Sequence, residues 1–288
     1  MRNDNGTPSR HAAQRWRMRP EQAGELIAVL SKAQGLSRRA AKRLLDERRV
    51  FVNGRRVWMA RHALRPGDVV EVQPPGALAA DTLAVLAEAE PYLIVDKPAG
   101  CTTNEDGRSV EARLRRRRNE DDWTAVHRLD RDTSGCLLFA RTPEAARRLI
   151  PLFRERRVEK VYWAIVLGAF PASLRRIAAP IAGEPAVTRL RVLARGNGAS
   201  LLEARIETGR THQIRRHLWQ VGHPVAGDRT YGTSRALDER SRALPRQMLH
   251  ARRLAFTHPD TGRLVAAESP APADFRAALR SYQLRAPV

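Results

Sequence analysis

With two cysteines, Cys101 and Cys136, in 288 residues, the chain has no disulfide framework, and no Cys/His group has the spacing of zinc ligands. Cys136 falls within the apolar stretch Cys136-Leu137-Leu138-Phe139 and reads as a core thiol rather than a nucleophile. No apolar run approaches the length needed to cross a bilayer. The polar, arginine-containing N-terminus lacks the apolar core of a secretory signal, so the expected location is the cytoplasm. No glycine-rich loop follows a strand in the way a methyl-donor site requires, which disfavours an RNA methyltransferase. His212, His217 and His223 do not share the i,i+4 face of a metalloprotease helix, so a zinc hydrolase is unsupported and no metal site is expected.

Acidic residues are also scarce. Thirty-one Asp and Glu face 52 Lys and Arg, giving a formal net charge of +21. A sequence pI near 11.4 is in the range that suggests a nucleic-acid partner. Nearly all the basic residues are arginine, whose planar fork binds phosphate bidentately and stacks on bases. A GC-rich genome would raise arginine everywhere and explains part of the excess, but not the net charge. At 42% hydrophobic content the chain can close a large core plus a smaller one.

The most informative stretch is His127-Arg128-Leu129-Asp130-Arg131-Asp132-Thr133-Ser134-Gly135, which runs into apolar Leu137-Leu138-Phe139-Ala140. An aspartate at the lip of a buried strand can be held rigidly while its carboxylate faces a cleft, and the adjacent arginines suit a phosphate-bearing substrate. Read alone, the same residues would make an ordinary polar turn of balanced charges. Other segments accompany it in order: Ile94-Val95-Asp96-Lys97-Pro98-Ala99-Gly100, Glu159-Lys160-Val161-Tyr162-Trp163-Ala164, Thr208-Gly209-Arg210-Thr211-His212-Gln213-Ile214-Arg215, Gly222-His223-Pro224-Val225-Ala226-Gly227-Asp228 and Leu249-His250-Ala251. Together they resemble the RluA-type pseudouridine synthases over residues 18 to 288. The chain departs from that pattern at Cys101-Thr102-Thr103, where packing beside the cleft is expected to differ.

The resemblance implies an RNA uridine isomerase that works without a cofactor. Asp130 is the implied catalytic carboxylate, attacking the sugar or taking a sugar proton. Arg210 is its implied cation, Tyr162 the implied stacking and proton-transfer residue, and Arg128 the residue that enters the space left by the flipped base or contacts a phosphate. Asp132, His127, His212, Gln213 and His250 are read as braces of the loops. Large-subunit ribosomal RNA is the expected substrate, with transfer RNA as the alternative. A catalytically idle RNA-binding or ribosome-assembly factor is the reading from another class. A monomer is expected.

Four segments are expected. Residues 1–17 read as a disordered basic tail. Residues 18–75 form a unit with a helix through Leu26, Ile27, Val29 and Leu30, then a second capped by Ser37 with Ala40, Leu44 and Leu45 inward, then short strands at Val50-Phe51-Val52, Arg56-Val57-Trp58 and Val69-Val70-Glu71-Val72. On the second helix Arg38 with Lys42 and Arg39 with Arg43 are like-charge i,i+4 pairs, which repel unless an anion lies across them. This unit resembles the S-four-like RNA-binding module, although Gly24-Glu25-Leu26 departs from its usual opening and predicts an irregular first turn. Residues 76–84 read as a linker and 85–288 as the catalytic domain. There, strands outnumber helices without regular βαβ alternation, which predicts an α+β fold with a large, mainly antiparallel mixed sheet flanked by helices. Arg113 to Arg118 reads as an exposed charge run, and Gly232 to Arg246 as a polar insertion.

Overall fold

The computed structural model describes residues 14–18, 24–46, 49–53, 55–57, 59–72, 83–232 and 238–287. It divides into two compact units, Met1–Thr82 and Leu83–Val288.

The first unit runs β1 (Gln14–Arg17), β2 (Gly24–Glu25), α1 (Leu26–Gln34), α2 (Arg38–Asp46), β3 (Val50–Val52), β4 (Arg55–Arg56), β5 (Ala63–Leu64) and β6 (Val69–Val72). Leu26, Leu30, Ala41, Leu45, Val50 and Val70 close a core of their own beneath a sheet ordered β1-β6-β3-β4. Ser37 caps α2 by accepting the Ala40 amide at 3.2 Å. That start leaves Arg38, Arg39, Lys42 and Arg43 exposed together, with Ala41 rather than the expected Ala40 turned inward. Asn53 adopts φ 51°, donates to Asp68 at 2.7 Å and accepts the Val69 amide at 2.8 Å, which ties the turn after β3 to β6. Two expectations are corrected. Residues 14–17 of the supposed tail pair with β6, because Trp16 lies opposite Val70 and packs on the core. The first turn, expected to be irregular, is helical from Leu26, with Gly24-Glu25 before it paired with β5. Residues 1–13, Gly54, Trp58 and most of the supposed linker lie outside the described residues.

The second unit runs β7 (Val85–Ala89), β8 (Tyr92–Lys97), α3 (Val110–Arg118), β9 (Thr124–Ala125), β10 (Ser134–Ala140), α4 (Pro143–Arg154), β11 (Glu159–Leu167), β12 (Arg176–Ile177), β13 (Thr188–Gly196), β14 (Ala199–Ile206), α5 (Gln213–Gln220), α6 (Glu239–Ala243), β15 (Leu249–Thr257), β16 (Leu264–Glu268) and α7 (Ala273–Ser281). Ten strands form one mixed sheet, ordered β12-β13-β14-β11-β15-β10-β8-β7, with β16 beside β15 and β9 beside β10. Every pairing is antiparallel except β10 with β15, so the sheet is the α+β type expected. That parallel junction depends on Gly135, which has φ 113° and faces Ala251, where an added Cβ would lie 2.2 Å from the carbonyl oxygen.

Alternation divides the sheet side chains between two faces. Leu93, Val95, Leu137, Phe139, Tyr162, Ala164 and Ala204 share a core with α3 and α5. On the other face, Ile94, Cys136 and Leu138 meet α4, while Trp163, Ile165 and Leu201 meet α7. β15 carries one residue more than β11 needs: Val161 lies opposite Arg253 and Tyr162 opposite Ala251, leaving Arg252 as a bulge. The Arg252 guanidinium lies 5.0 Å over the Trp163 ring.

Arg113 to Arg118 is not simply a solvated run. Arg115 donates to Trp123 O and pairs with Glu111, Arg116 donates to Gly107 O, Arg117 to Leu83 O, and Arg118 pairs with Glu88. Of the supposed insertion, residues 233–237 lie outside the described residues, and Arg246 is the opposite of polar surface. It is buried, pairs with Asp274 at 2.7 Å and donates to Asp132 O at 3.0 Å.

Candidate active site

Asp130 stands on the loop between β9 and β10, where each carbonyl from residue 129 to 133 has a donor. Leu129 O accepts from Thr103 Oγ1 and Asp130 O from the Thr133 amide. Arg131 O accepts from both Lys97 Nζ and the Gly100 amide, Asp132 O from Arg246, and Thr133 O again from Lys97. Burial of Lys97 lowers its pKa to about 7, and its amino group holds the loop at Arg131 O and Thr133 O and also meets its neighbour Pro98 O. His127 Nε2 accepts the Leu138 amide at 3.1 Å; burial holds its pKa near 4, so it braces the loop as a neutral ring. The lattice fixes the backbone beneath Asp130 and leaves its side chain 24% exposed to the cleft.

The cation on Asp130 is Arg215. Its Nη1 lies 3.0 Å from Asp130 Oδ2, while Nε and Nη2 form a fork onto Asp228 at 2.6 and 2.9 Å. Asp228 is fully buried and Arg215 is 5% exposed, so this fork is locked inside the protein. Asp228 is itself held by the Thr230 and Tyr231 amides. Burial works against the guanidinium's charge, but the hydrogen bonds and charge of Asp228, then of Asp130, raise its pKa further.

The expectation for Arg210 is corrected here. Arg210 lies in the loop before α5 and turns the other way, with Nη2 at 3.2 Å from Glu184 and Nε donating to Pro185 O. Its amide is held by Gln213 Oε1, so the start of α5 anchors it away from Asp130. Arg215 faces the cleft instead. Both arginines stand in Thr208–Arg215, but Arg210 precedes the helix, His212 turns the chain between them at φ 55°, and Arg215 lies in the first turn of α5.

Tyr162, on β11, packs beside Leu129, Ile214 and Ala251. Burial, and then the negative charge of Asp130, raise its hydroxyl pKa, so it is a neutral phenol at physiological pH. Arg128 is exposed and pairs with Glu105 at 2.6 Å. Next to Asp130, His212 has φ 55° and brings Nε2 to 3.9 Å from Oδ1, while its Nδ1 lies 3.0 Å from the Tyr231 hydroxyl. Burial lowers the His212 pKa although Asp130 opposes the shift. Gln213 bridges Thr208, Val187 O and Thr188; His250 joins Ser134 to Ser269 O. A cavity of about 490 Å³ bordered by Glu105, Glu111, Arg115 and Asp121 lies along α3 and contains none of Asp130, Tyr162 or Arg215. Among the described residues no three His, Cys, Asp or Glu side chains are grouped to hold a metal.

Fold and site together define an enzyme that presents one rigid carboxylate, guarded by a buried guanidinium and a neutral phenol, from a mixed sheet. The comparisons identify which one. The RNA pseudouridylate synthase family model matches residues 91–220 and the S4 domain model residues 26–70. The chain is 37% identical to an uncharacterized RNA pseudouridine synthase of Chloroflexus aurantiacus, over 87% of each protein. It is 34% identical to ribosomal large subunit pseudouridine synthase C of Escherichia coli, over 87% of this chain and 90% of that one. The structure of human RNA pseudouridylate synthase domain containing 1 superposes with a TM-score of 0.60 at 28% identity, covering 75% of this chain and 93% of that one. The chain belongs to the RNA pseudouridylate synthase family and is an isomerase with an N-terminal S4 domain.

Proposed function

We propose that this enzyme isomerises uridine in large-subunit ribosomal RNA, acting in the cytoplasm. The net charge of +21 suits an RNA partner, and the ribosomal reading rests on the name of the Escherichia coli relative. The observation that carries the chemistry is Asp130 on a loop whose backbone carbonyls from 129 to 133 each have a donor, with Arg215 at 3.0 Å.

The reaction breaks the bond from the anomeric carbon to uracil N1, turns the base, and joins the same carbon to C5; the proton leaving C5 is balanced by one gained at N1. Asp130 supplies the carboxylate, by attack on the sugar or by removing a sugar proton. A fixed cation on its other side steadies it without reorganisation during reaction. Tyr162 presents its ring to the uracil and a neutral hydroxyl for proton transfer. The target base must leave its stack, at a cost of a few kcal/mol. Arg128, exposed beside the carboxylate, fills the vacated space or meets a phosphate, and Arg38, Arg39, Lys42 and Arg43 contact phosphates from the S4 domain.

Two measurements test this. Asp130→Asn should abolish tritium release from RNA labelled at uracil C5 while RNA binding survives; near-normal turnover would overturn the assignment. Chemical mapping of pseudouridine in cells with and without the gene should show a site lost from large-subunit ribosomal RNA, and loss confined to transfer RNA would overturn the substrate.

A further inference from the structure

On α5 the spacing of three and four residues puts His212, Arg215, Arg216 and Trp219 along one side of the helix. Arg215 reaches Asp130, and the Tyr231 ring lies 5.1 Å from its guanidinium. The other rings follow outward: His212 meets Tyr231 edge-on at 5.6 Å, and Trp219 lies 6.1 Å from Tyr231, tilted by 42°. A file of planar groups thus leads from the cation beside the catalytic carboxylate to the surface. It ends in a tryptophan left 44% exposed, the only aromatic among the large hydrophobic side chains exposed in the described residues. Arg216, on the same side of the helix, makes no ion pair among the described residues, whereas Arg229, on the loop that carries Tyr231, donates to Leu244 O.

A flat apolar face with a cation on the same side of the helix suits a flat ring attached to a phosphate. Single-stranded RNA is read in this way, by bases stacked on aromatic side chains while arginine meets the backbone. Turning a uridine out of its stack also deprives its neighbour of a stacking partner. We propose that Trp219 is a binding residue for an unpaired nucleobase next to the uridine in the active site, which stacks on the outer face of the indole. The inference rests on the RNA-isomerase reading but not on which RNA is modified.

The test compares wild type, Trp219→Ala and Trp219→Phe on two probes of equal charge: a ten-residue oligouridylate, and a ten-residue ribose-phosphate chain lacking all its bases. Trp219→Ala should weaken binding of the oligouridylate by about 5- to 150-fold and leave the baseless chain unaffected. Trp219→Phe should recover most of the loss. In the tritium-release assay, with whichever RNA wild type isomerises, the loss in Trp219→Ala should appear chiefly in KM. Equal binding of both probes by wild type, equal losses on both in Trp219→Ala, or a fall in kcat alone would overturn the platform and make Trp219 a packing partner of Tyr231. Neither probe contains ribosomal sequence, so a failed ribosomal assignment leaves this result standing, and failure here leaves that assignment intact.

Discussion

Arg215 carries two carboxylates on one guanidinium, and losing it would have two separable effects. Arg215→Met would leave Asp228 charged and buried without its fork, at a cost of about 3–5 kcal/mol of stability, and would strip Asp130 of its cation. Arg215→Met with Asp228→Asn should regain much of the thermal stability and none of the turnover. Arg210→Met, which loses a half-exposed pair with Glu184 and a hydrogen bond to Pro185 O, should keep turnover within about threefold of wild type. Turnover lost in Arg210→Met and kept in Arg215→Met would reverse the assignment. His250 gives a pH signature. Its Nδ1 faces the Ser134 hydroxyl and its Nε2 faces Ser269 O, and burial lowers its pKa from 6.5 to about 4. The unfolded chain therefore takes up the proton first, so stability falls as pH drops from about 6.5 to about 4, by up to roughly 1.4 kcal/mol per pH unit. Denaturant titrations across that window should show a smaller slope in His250→Gln. At this scale the motifs singled out Asp130 and Tyr162, which lie close enough for the carboxylate's charge to act on the phenol, but named Arg210 for the cation that Arg215 supplies. A motif carries Arg210 and Arg215 five residues apart, whereas the turn at His212 and the start of α5 decide which faces the cleft. Arg246 and Lys97 were also missed in their loop-holding roles, because their targets are backbone carbonyls that no side-chain pattern reveals.

Elements carry the next set of consequences. Four exposed cations on α2 should each contribute about 0.7–0.9 to the log–log salt slope of RNA binding where they meet a phosphate, so replacing all four with Gln should flatten it by as much as about 3.6. An unchanged slope would mean that α2 serves another purpose. Gly135→Ala would set a Cβ against the Ala251 carbonyl at a φ that L-residues rarely adopt, so the β10–β15 junction should open and soluble yield or melting temperature fall sharply. An equally stable variant would show that the junction can yield. The strands were legible because both faces of the sheet are buried, giving apolar runs such as Tyr92–Val95 and Leu137–Ala140. β1 was not legible: Gln14–Arg17 is a short polar edge strand whose pairing is fixed by β6, far along the chain.

Across the whole molecule, each unit closes its own core, so residues 83–288 produced alone should fold and still release tritium, with a KM raised by roughly tenfold or more once the phosphate contacts of α2 are gone. A fragment that binds RNA as tightly as the full chain would remove the S4 domain from recognition. The formal charge overstates the RNA footprint, because many arginines are committed to their own protein. Arg191, Glu203, Arg205, Glu159, Arg253, Glu268 and Arg252 form one ion-pair chain across five strands. Composition therefore announced a nucleic-acid partner without showing which cations reach it. The extra residue at Arg252 has a different kind of consequence. A strand alternates faces at every step, so this one unpaired position sets how the residues of β15 on either side of it line up with β11, Ala251 with Tyr162 and Arg253 with Val161. Substitution at 252 should be tolerated in many forms, whereas deleting that codon would exchange inside for outside along part of the sheet; among related genes, length at this position should be kept more strictly than identity.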